Sequence, residues 1–317
     1  MKLASAGSGW LLGLMFVWLP MLGQAGETTA ERSPVLVDPT WVAQWASQPN
    51  VRLLEVGQRE DYVAGHIQGA MFVDWIVDIT DPACPQRYNA APREQFEALL
   101  RRLGISDQTT IVLYDRLQSR LATRMFWTLR CYGHQRIKIL DGGAQAWLSA
   151  GKTLVTSVPT VSPTQYQLGH QVSKMEVDRA FIRANLSRPQ FVLIDGRPVE
   201  QYTGEQPGKV YHTGKHHARL GHLPRALNIP WADNLTADGR FKSVNELRKL
   251  YMSRSITKDA TIVTYCNEGL HAAHPWFVLS VLLDYQDVRL YDDSLSEWAN
   301  LASEPLVVSG AFDVERR

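Results

Sequence analysis

The sequence predicts an α/β protein made of two tandem copies of one unit, each a parallel sheet flanked by helices. Three observations carry this. Ile111 to Trp147 and Ile262 to Trp298 align without a gap, so that Asp115 stands 32 positions before Trp147 and Cys266 stands 32 before Trp298. An earlier pair also matches: Leu54 to Trp75 (LEVGQREDYVAGHIQGAMFVDW) pairs with Leu193 to Trp231, which begins LIDGRPVEQYTG and ends ARLGHLPRALNIPW. Within each copy, short β-branched and aromatic runs alternate with helical patterns, as strands and crossovers of a parallel sheet do. A repeat of this size sets the architecture, and a length of 317 residues accommodates two such domains.

Taken in order, the chain opens with Lys2 and a thirteen-residue apolar run, Trp10 to Leu22, too short to span a bilayer comfortably. Gly23-Gln24-Ala25 then places small residues at the −3 and −1 positions of a cleavage site. Residues 1–25 are predicted to be a secretory signal peptide, which implies export to a bacterial periplasm and no stable membrane anchor after cleavage. The first unit is expected over 34–150. Its helix Arg93 to Leu103 is bracketed by Pro92 and Gly104, and the helix Leu121 to Cys131 places Cys131 in the core. Gly151 to Ser173 is polar, carries Pro159 and Pro163, and reads as the inter-domain linker.

The second unit is expected over 174–308. Ser243-Val244-Asn245-Glu246 is a capping box for one of its helices. Tyr62 lies three residues before Gly65, whereas Tyr202 lies nineteen before Gly221, so this unit holds a 16-residue insertion with Lys209, His212, Lys215, His216, His217 and Arg219. It follows the strand Phe191 to Ile194. Ligand crevices of open parallel sheets form at the strand carboxyl ends, which places the insertion beside the loop at Cys266.

That loop is where the chemistry is expected. Thr261 to Tyr265 reads as a buried strand, and from Ala272 the run reads as a buried helix with Pro275 in its first turn, where a missing N–H costs nothing. Cys266 and Asn267 to His271 therefore sit at the positive end of a helix. Backbone N–H groups converging on one sulfur lower a thiol's pKa and make it a nucleophile; a buried inert cysteine is the plainer alternative.

Composition narrows the function. The formal net charge is +1, with 21% charged and 45% hydrophobic residues, and no basic block suits nucleic acid. Cys84, Cys131 and Cys266 supply neither a disulfide framework nor a CxxC zinc site, and an odd count leaves one thiol without an intramolecular partner. Whether Cys84 pairs with Cys131 stays open. No cofactor motif, coiled coil or dimer surface is evident, so a monomer is expected.

The ordered set of motifs resembles the rhodanese family (thiosulfate and 3-mercaptopyruvate sulfurtransferases) in its tandem form, over about Val35 to Leu306. The matching pieces are Gly65-His66-Ile67-Gln68-Gly69-Ala70, Gly221-His222-Leu223-Pro224-Arg225-Ala226, the Cys-x-x-Gly-x-x-Ala loop at Cys266, Gly269 and Ala272, and Asp141-Gly142-Gly143 to Trp147, with a weaker copy at Asp292-Asp293-Ser294 to Trp298. The resemblance implies that Cys266 is the nucleophile and carries sulfane sulfur as a persulfide. It implies that Arg197, in Asp195-Gly196-Arg197, meets an anionic donor, and that Asn267, Glu268, Gly269, Leu270, His271 and Ala272 form the substrate loop. The partners are then a small-molecule sulfur donor and a thiophilic acceptor such as cyanide, a thiol or a protein cysteine. The first unit has Asp115 and Gly57 in place of Cys266 and Arg197, so it is expected to be a non-catalytic scaffold.

Asn267 and Glu268 depart from the basic residues of thiosulfate-preferring members, and a carboxylate there disfavours a doubly charged donor. Lys209, Lys215 and Arg219 are expected to compensate by steering anions to the cleft. A side chain at Gly269 is expected to cost far more activity than stability. Three rivals remain: a Cys-x5-Arg phosphatase, against which Ala272 stands where the arginine is needed; a persulfide carrier without small-molecule turnover; and a metal site at His212, His216, His217 and His222, which lacks a completing carboxylate or cysteine. Trp147 and Trp298 are expected in the core.

Overall fold

The computed structural model describes residues 33–84, 89–169, 174–211 and 213–309. The expected signal peptide (1–25), His212 and the end of the linker (170–173) lie outside them. The first half runs β1 (Leu36–Val37), α1 (Pro39–Trp45), β2 (Val51–Gly57), α2 (Arg59–Ala64), β3 (Met71–Asp74), α3 (Arg93–Arg102), β4 (Thr110–Tyr114), α4 (Arg120–Cys131), β5 (Ile137–Leu140) and α5 (Gly143–Ser149). The second runs β6 (Glu176–Val177), α6 (Arg179–Asn185), β7 (Phe191–Asp195), α7 (Val199–Thr203), β8 (Leu227–Asn228), α8 (Val244–Met252), β9 (Thr261–Tyr265), α9 (Ala273–Phe277), β10 (Val288–Tyr291) and α10 (Ser294–Trp298), with a 3₁₀ turn at Trp231–Asn234.

Each half is a five-stranded, all-parallel sheet, in the orders β1-β5-β4-β2-β3 and β6-β10-β9-β7-β8. The registers match as the repeat requires: Glu55 opposes Tyr114 as Asp195 opposes Tyr265. The central strands β4 (TIVLY) and β9 (TIVTY) are buried on both faces, which is why they read as continuous apolar runs. The capping box forms, with Ser243 N donating to Glu246 Oε2 at 2.9 Å and Glu246 N to Ser243 Oγ at 3.3 Å. The long helix expected after Ala272 is instead five residues of α-helix followed by a wide π turn, Val278–Leu282. Pro275 falls within the first turn, as its chemistry demands.

The Gly-His signatures prove to be structural. His66 stacks on Tyr62 and His222 on Tyr202, and the two tyrosine hydroxyls donate to Ala70 O and Ala226 O. Trp147 and Trp298 are buried and donate to Thr153 O and Pro305 O. The described part of the linker straps the first half: Val155 pairs with His66, Leu168 is buried, and Arg101 Nε donates to Tyr166 O. Cys131 lies in the core of α4, Cys84 is half-buried, and both thiols are free, as is Cys266.

The halves meet through α4 and α9. Phe126 and Phe277 touch edge to face with centroids 4.9 Å apart. Asp141 accepts from Phe241 N and Asp292 from Ala90 N, each at 2.9 Å. Each of these residues has its counterpart 151 positions away, the offset that separates Asp115 from Cys266. The contacts are therefore reciprocal about an approximate two-fold axis. One apolar core runs through the junction, from Leu121, Met125 and Phe126 to Ala272, Trp276 and Phe277.

Candidate active site

Cys266 follows β9 directly and opens the loop to Ala272. Its backbone N–H and that of Gly269 both donate to Ser294 Oγ at 3.1 Å, and this hydroxyl donates to Tyr291 O at 2.7 Å. One serine thus pins both ends of the turn. Glu268 N points at Cys266 Sγ, 3.5 Å away. The backbone N–H groups of His271 and Ala272 also act on the sulfur and favour its thiolate.

Burial works against the activation expected from helix position. Cys266 is 1% exposed, and burial, with the Glu268 carboxylate second, pushes its pKa up to about 11. A helix of five residues is a weak dipole, and three N–H groups do not outweigh desolvation. Glu268 is itself buried. Both its oxygens face Tyr211 N, at 2.8 and 3.1 Å, and burial raises its pKa to about 7.

The first half has the same cradle with a different occupant. Asp115 Oδ1 accepts from Leu117 N and Ser119 N, and Oδ2 from Leu121 N and Ala122 N, all at 2.8–2.9 Å. A two-atom anion fills that loop.

Arg197 is buried at the end of β7. Its Nε and Nη2 bind the Asp195 carboxylate, with Nη2–Oδ2 at 2.6 Å, and Nη2 also donates to Gly221 O. In the first half Arg116 makes the matching set, to Glu55 at 2.7 Å and to Gly65 O, although it comes from the loop rather than from the end of β2. Glu55 and Gly65 are the counterparts of Asp195 and Gly221, so much of the Arg197 guanidinium performs a structural task common to both halves.

Asn267 is held by Gln201 Oε1 (3.0 Å) and His217 Nε2 (3.1 Å). Leu270 and Ala272 are buried in the junction core. His271 is half-buried; its Nε2 lies 3.1 Å from Arg120 Nη1, and burial with the nearby guanidinium lowers its pKa to about 3, so the ring is neutral and accepts. His274 packs on Phe241.

The insertion does lie on the loop. Gly208 is pressed against Asn267 and Arg197, and Tyr211 lies near the His271 and Trp75 rings. Its charges are less available than the sequence implied. Arg219 donates to the carbonyls of Trp298, Ala299, Leu301 and Glu304, capping α10, and is no free steering cation. Lys215 and His216 line a cleft of about 580 Å³ against α10, and His217 turns inward to Asn267.

A rhodanese-like domain model matches residues 38–150 and 179–301. The chain belongs to the rhodanese family. Among rhodanese relatives, it is 38% identical over 278 residues to the sulfur carrier protein TtuD of Thermus thermophilus, covering 86% of this chain and 96% of that protein. It is 32% identical to a Mycobacterium leprae protein assigned as a thiosulfate sulfurtransferase, covering 87% and 98%. The crystal structure of SseA from Escherichia coli, described as a 3-mercaptopyruvate sulfotransferase, superposes with a TM-score of 0.71 at 26% identity, over 82% of this chain and 98% of that one.

Sequence reasoning missed several residues of this rhodanese site. Ser294 was read only as a weakened Asp-Gly-Gly motif, yet the departure from glycine was the signal: Gly143 has no room there, since a Cβ would lie 2.3 Å from Asp115 O. Arg120, Trp231 and Tyr211 converge on His271, and Arg124 with Asp292 underlies Gly269.

Proposed function

We propose that this rhodanese is a sulfurtransferase that carries sulfane sulfur on Cys266, from an anionic donor, thiosulfate or 3-mercaptopyruvate, to a thiophilic acceptor. The observation that carries the reading is the cradle of backbone N–H groups around Cys266 Sγ, whose counterpart in the first half holds the Asp115 carboxylate.

The chemistry follows from that geometry. The Cys266 thiolate attacks the outer sulfur of thiosulfate; the S–S bond of the donor breaks, its electron pair leaves with sulfite, and Cys266 keeps the sulfur as a persulfide. With 3-mercaptopyruvate the carbon–sulfur bond breaks, and the pair leaves on pyruvate enolate, which takes up a proton. A persulfide is a stronger acid than its thiol, so the cradle favours the loaded anion over the unloaded thiol, as an oxyanion hole favours developing charge. An acceptor thiol or cyanide then removes the terminal sulfur and regenerates the thiolate, a ping-pong cycle. The first half, with a carboxylate that cannot carry sulfur, serves as scaffold and cleft wall.

The test is intact mass of the protein after thiosulfate or, separately, 3-mercaptopyruvate, beside Cys266→Ser. A gain of one sulfur, absent from the variant and lost on adding cyanide, is expected; no gain with either donor would overturn the reading. A second reading, a carrier that passes its persulfide only to a protein partner, draws support from the resemblance to TtuD and from the burial of Cys266. A persulfide that survives cyanide but not the partner distinguishes it. Export as a monomer completes the proposal: the N-terminus of the protein recovered from the periplasm is expected at Gly26, and recovery of intact residues 1–25 in the cytoplasm would refute it.

A further inference from the structure

We propose that Arg120, from the non-catalytic half, grips the oxyanion end of the sulfur donor at Cys266 of the other half. The proposal rests on the sulfur-transfer reading and names the residue that gives that site its charge selectivity.

Among the described residues, Arg116, Arg120, Arg124 and Arg197 stand near the Cys266 loop or its counterpart in the first half. Arg116 is paired with Glu55, Arg124 with Asp292 and Arg197 with Asp195. Arg120 differs: among the described residues no carboxylate pairs with it. Its Nε donates to Leu117 O at 3.0 Å and its Nη1 to His271 Nε2 at 3.1 Å, while Nη2 has no hydrogen-bond partner there. The guanidinium lies over the ring of Trp231, 4.7 Å from its centroid, and 5.7 Å from that of Tyr211. It is half-buried at the first turn of α4.

This is a cation held in place without being neutralised. The rings support it through cation–π attraction, and the neutral His271 fixes one nitrogen without cancelling its charge. His271 is also the residue whose backbone N–H acts on Cys266 Sγ, so one residue connects the guanidinium to the reacting sulfur. Arg197, by contrast, spends Nε and Nη2 on Asp195 and Gly221. With the Glu268 carboxyl beside the sulfur, an anionic donor needs a cation in this cleft, and of these arginines Arg120 is the one with no carboxylate partner among the described residues. A planar guanidinium with a free edge suits a carboxylate or the oxygens of a sulfonate head. Because the side chain is already fixed, little ordering entropy opposes binding.

The test is the first half-reaction, read as the rate of Cys266 persulfide formation by quenched intact mass. Wild type, Arg120→Gln and Arg120→Lys are each given 3-mercaptopyruvate, thiosulfate, or the neutral dimethyl trisulfide; attack of the Cys266 thiolate on a terminal sulfur of the last breaks an S–S bond, expels methylpersulfide and leaves Cys266 as its methyl disulfide, which is read as its own mass gain. Arg120→Gln is expected to raise the KM for the anionic donor about 10- to 100-fold, the worth of one charged hydrogen bond, with a much smaller fall in maximal rate. The loss with dimethyl trisulfide should be at least about tenfold smaller, and Lys should restore part of the affinity. The anion that suffers more identifies the head group that Arg120 takes. An unchanged KM for both anions, or equal losses with neutral and anionic donors, would overturn the assignment. If wild type loads from dimethyl trisulfide but from neither anion, the donor reading itself fails, and Arg120 falls with it.

Discussion

Arg124 of the first half and Asp292 of the second form a buried ion pair across the junction, with Nη2 2.9 Å from Oδ2 and the two side chains 2% and 1% exposed. Asp292 also accepts from Ala90 N, so its carboxylate is the knot of the interface, and it lies directly under Gly269 of the catalytic loop. Arg124→Met leaves that carboxylate buried beside Glu176 with no cation. Urea unfolding should show a loss of about 3–5 kcal/mol, and Arg124→Met with Asp292→Leu should recover most of it, since a buried pair is worth far less than half of one costs. A single variant as stable as wild type would refute the account.

Gly269 has φ +82°, and a Cβ there would lie 2.0 Å from Asp292 Oδ1 and 2.9 Å from Asp292 O. The earlier expectation that a side chain costs mainly activity needs revision, because the atom it meets belongs to the interface knot. Gly269→Ala should lose about 2–3 kcal/mol of stability and, by moving the N–H donors off Cys266, about 100-fold or more in persulfide formation. Denaturant melts and quenched mass on the same sample separate the two effects.

Asp115→Ala removes the acceptor of four buried N–H groups. A stability loss of about 2–4 kcal/mol is expected, less for Asp115→Asn, which keeps one acceptor oxygen. Persulfide formation per folded molecule should stay within a few-fold of wild type. Loss of loading in a stably folded Asp115→Ala protein would contradict a scaffold role for the first half.

Glu268 has its pKa raised by burial to about 7 from an ordinary 4.5. A carboxyl raised in the folded state binds its proton more tightly there, so the penalty is absent below about pH 4.5, grows with pH, and is complete above about 7. Glu268→Gln should therefore gain on the order of 3 kcal/mol over wild type at pH 8 and almost nothing at pH 4.5. With the carboxylate gone, alkylation of Cys266 by iodoacetamide should also shift to lower pH. A shift the other way would show that Glu268 assists the thiolate.

The repeat made the fold legible, because β4 and β9 and the helices after them align without a gap and a parallel sheet has few ways to be wound. The proposed nucleophile stands out for the same reason, as the point where the copies differ, Asp115 against Cys266. The surroundings were not. Arg120 is simply the counterpart of His271 at the offset of 151, and nothing local says that one half's helix start faces the other half's loop. The two readings of the thiol stayed open because helix position is visible in a sequence and desolvation is not. Arg219 looked like a steering charge because its four carbonyl partners lie about 80 residues away.

The carboxylate of Asp115 has a consequence beyond the first half. That loop holds by its own side chain the kind of acceptor that, in the proposed cycle, its twin gains only when sulfur is loaded. One polypeptide therefore carries two occupants of the same backbone cradle, a two-oxygen side chain on one side and a single sulfur on the other. A chemist seeking a stable mimic of the loaded enzyme has a template already drawn: a carboxylate in place of Cys266, held by the same backbone.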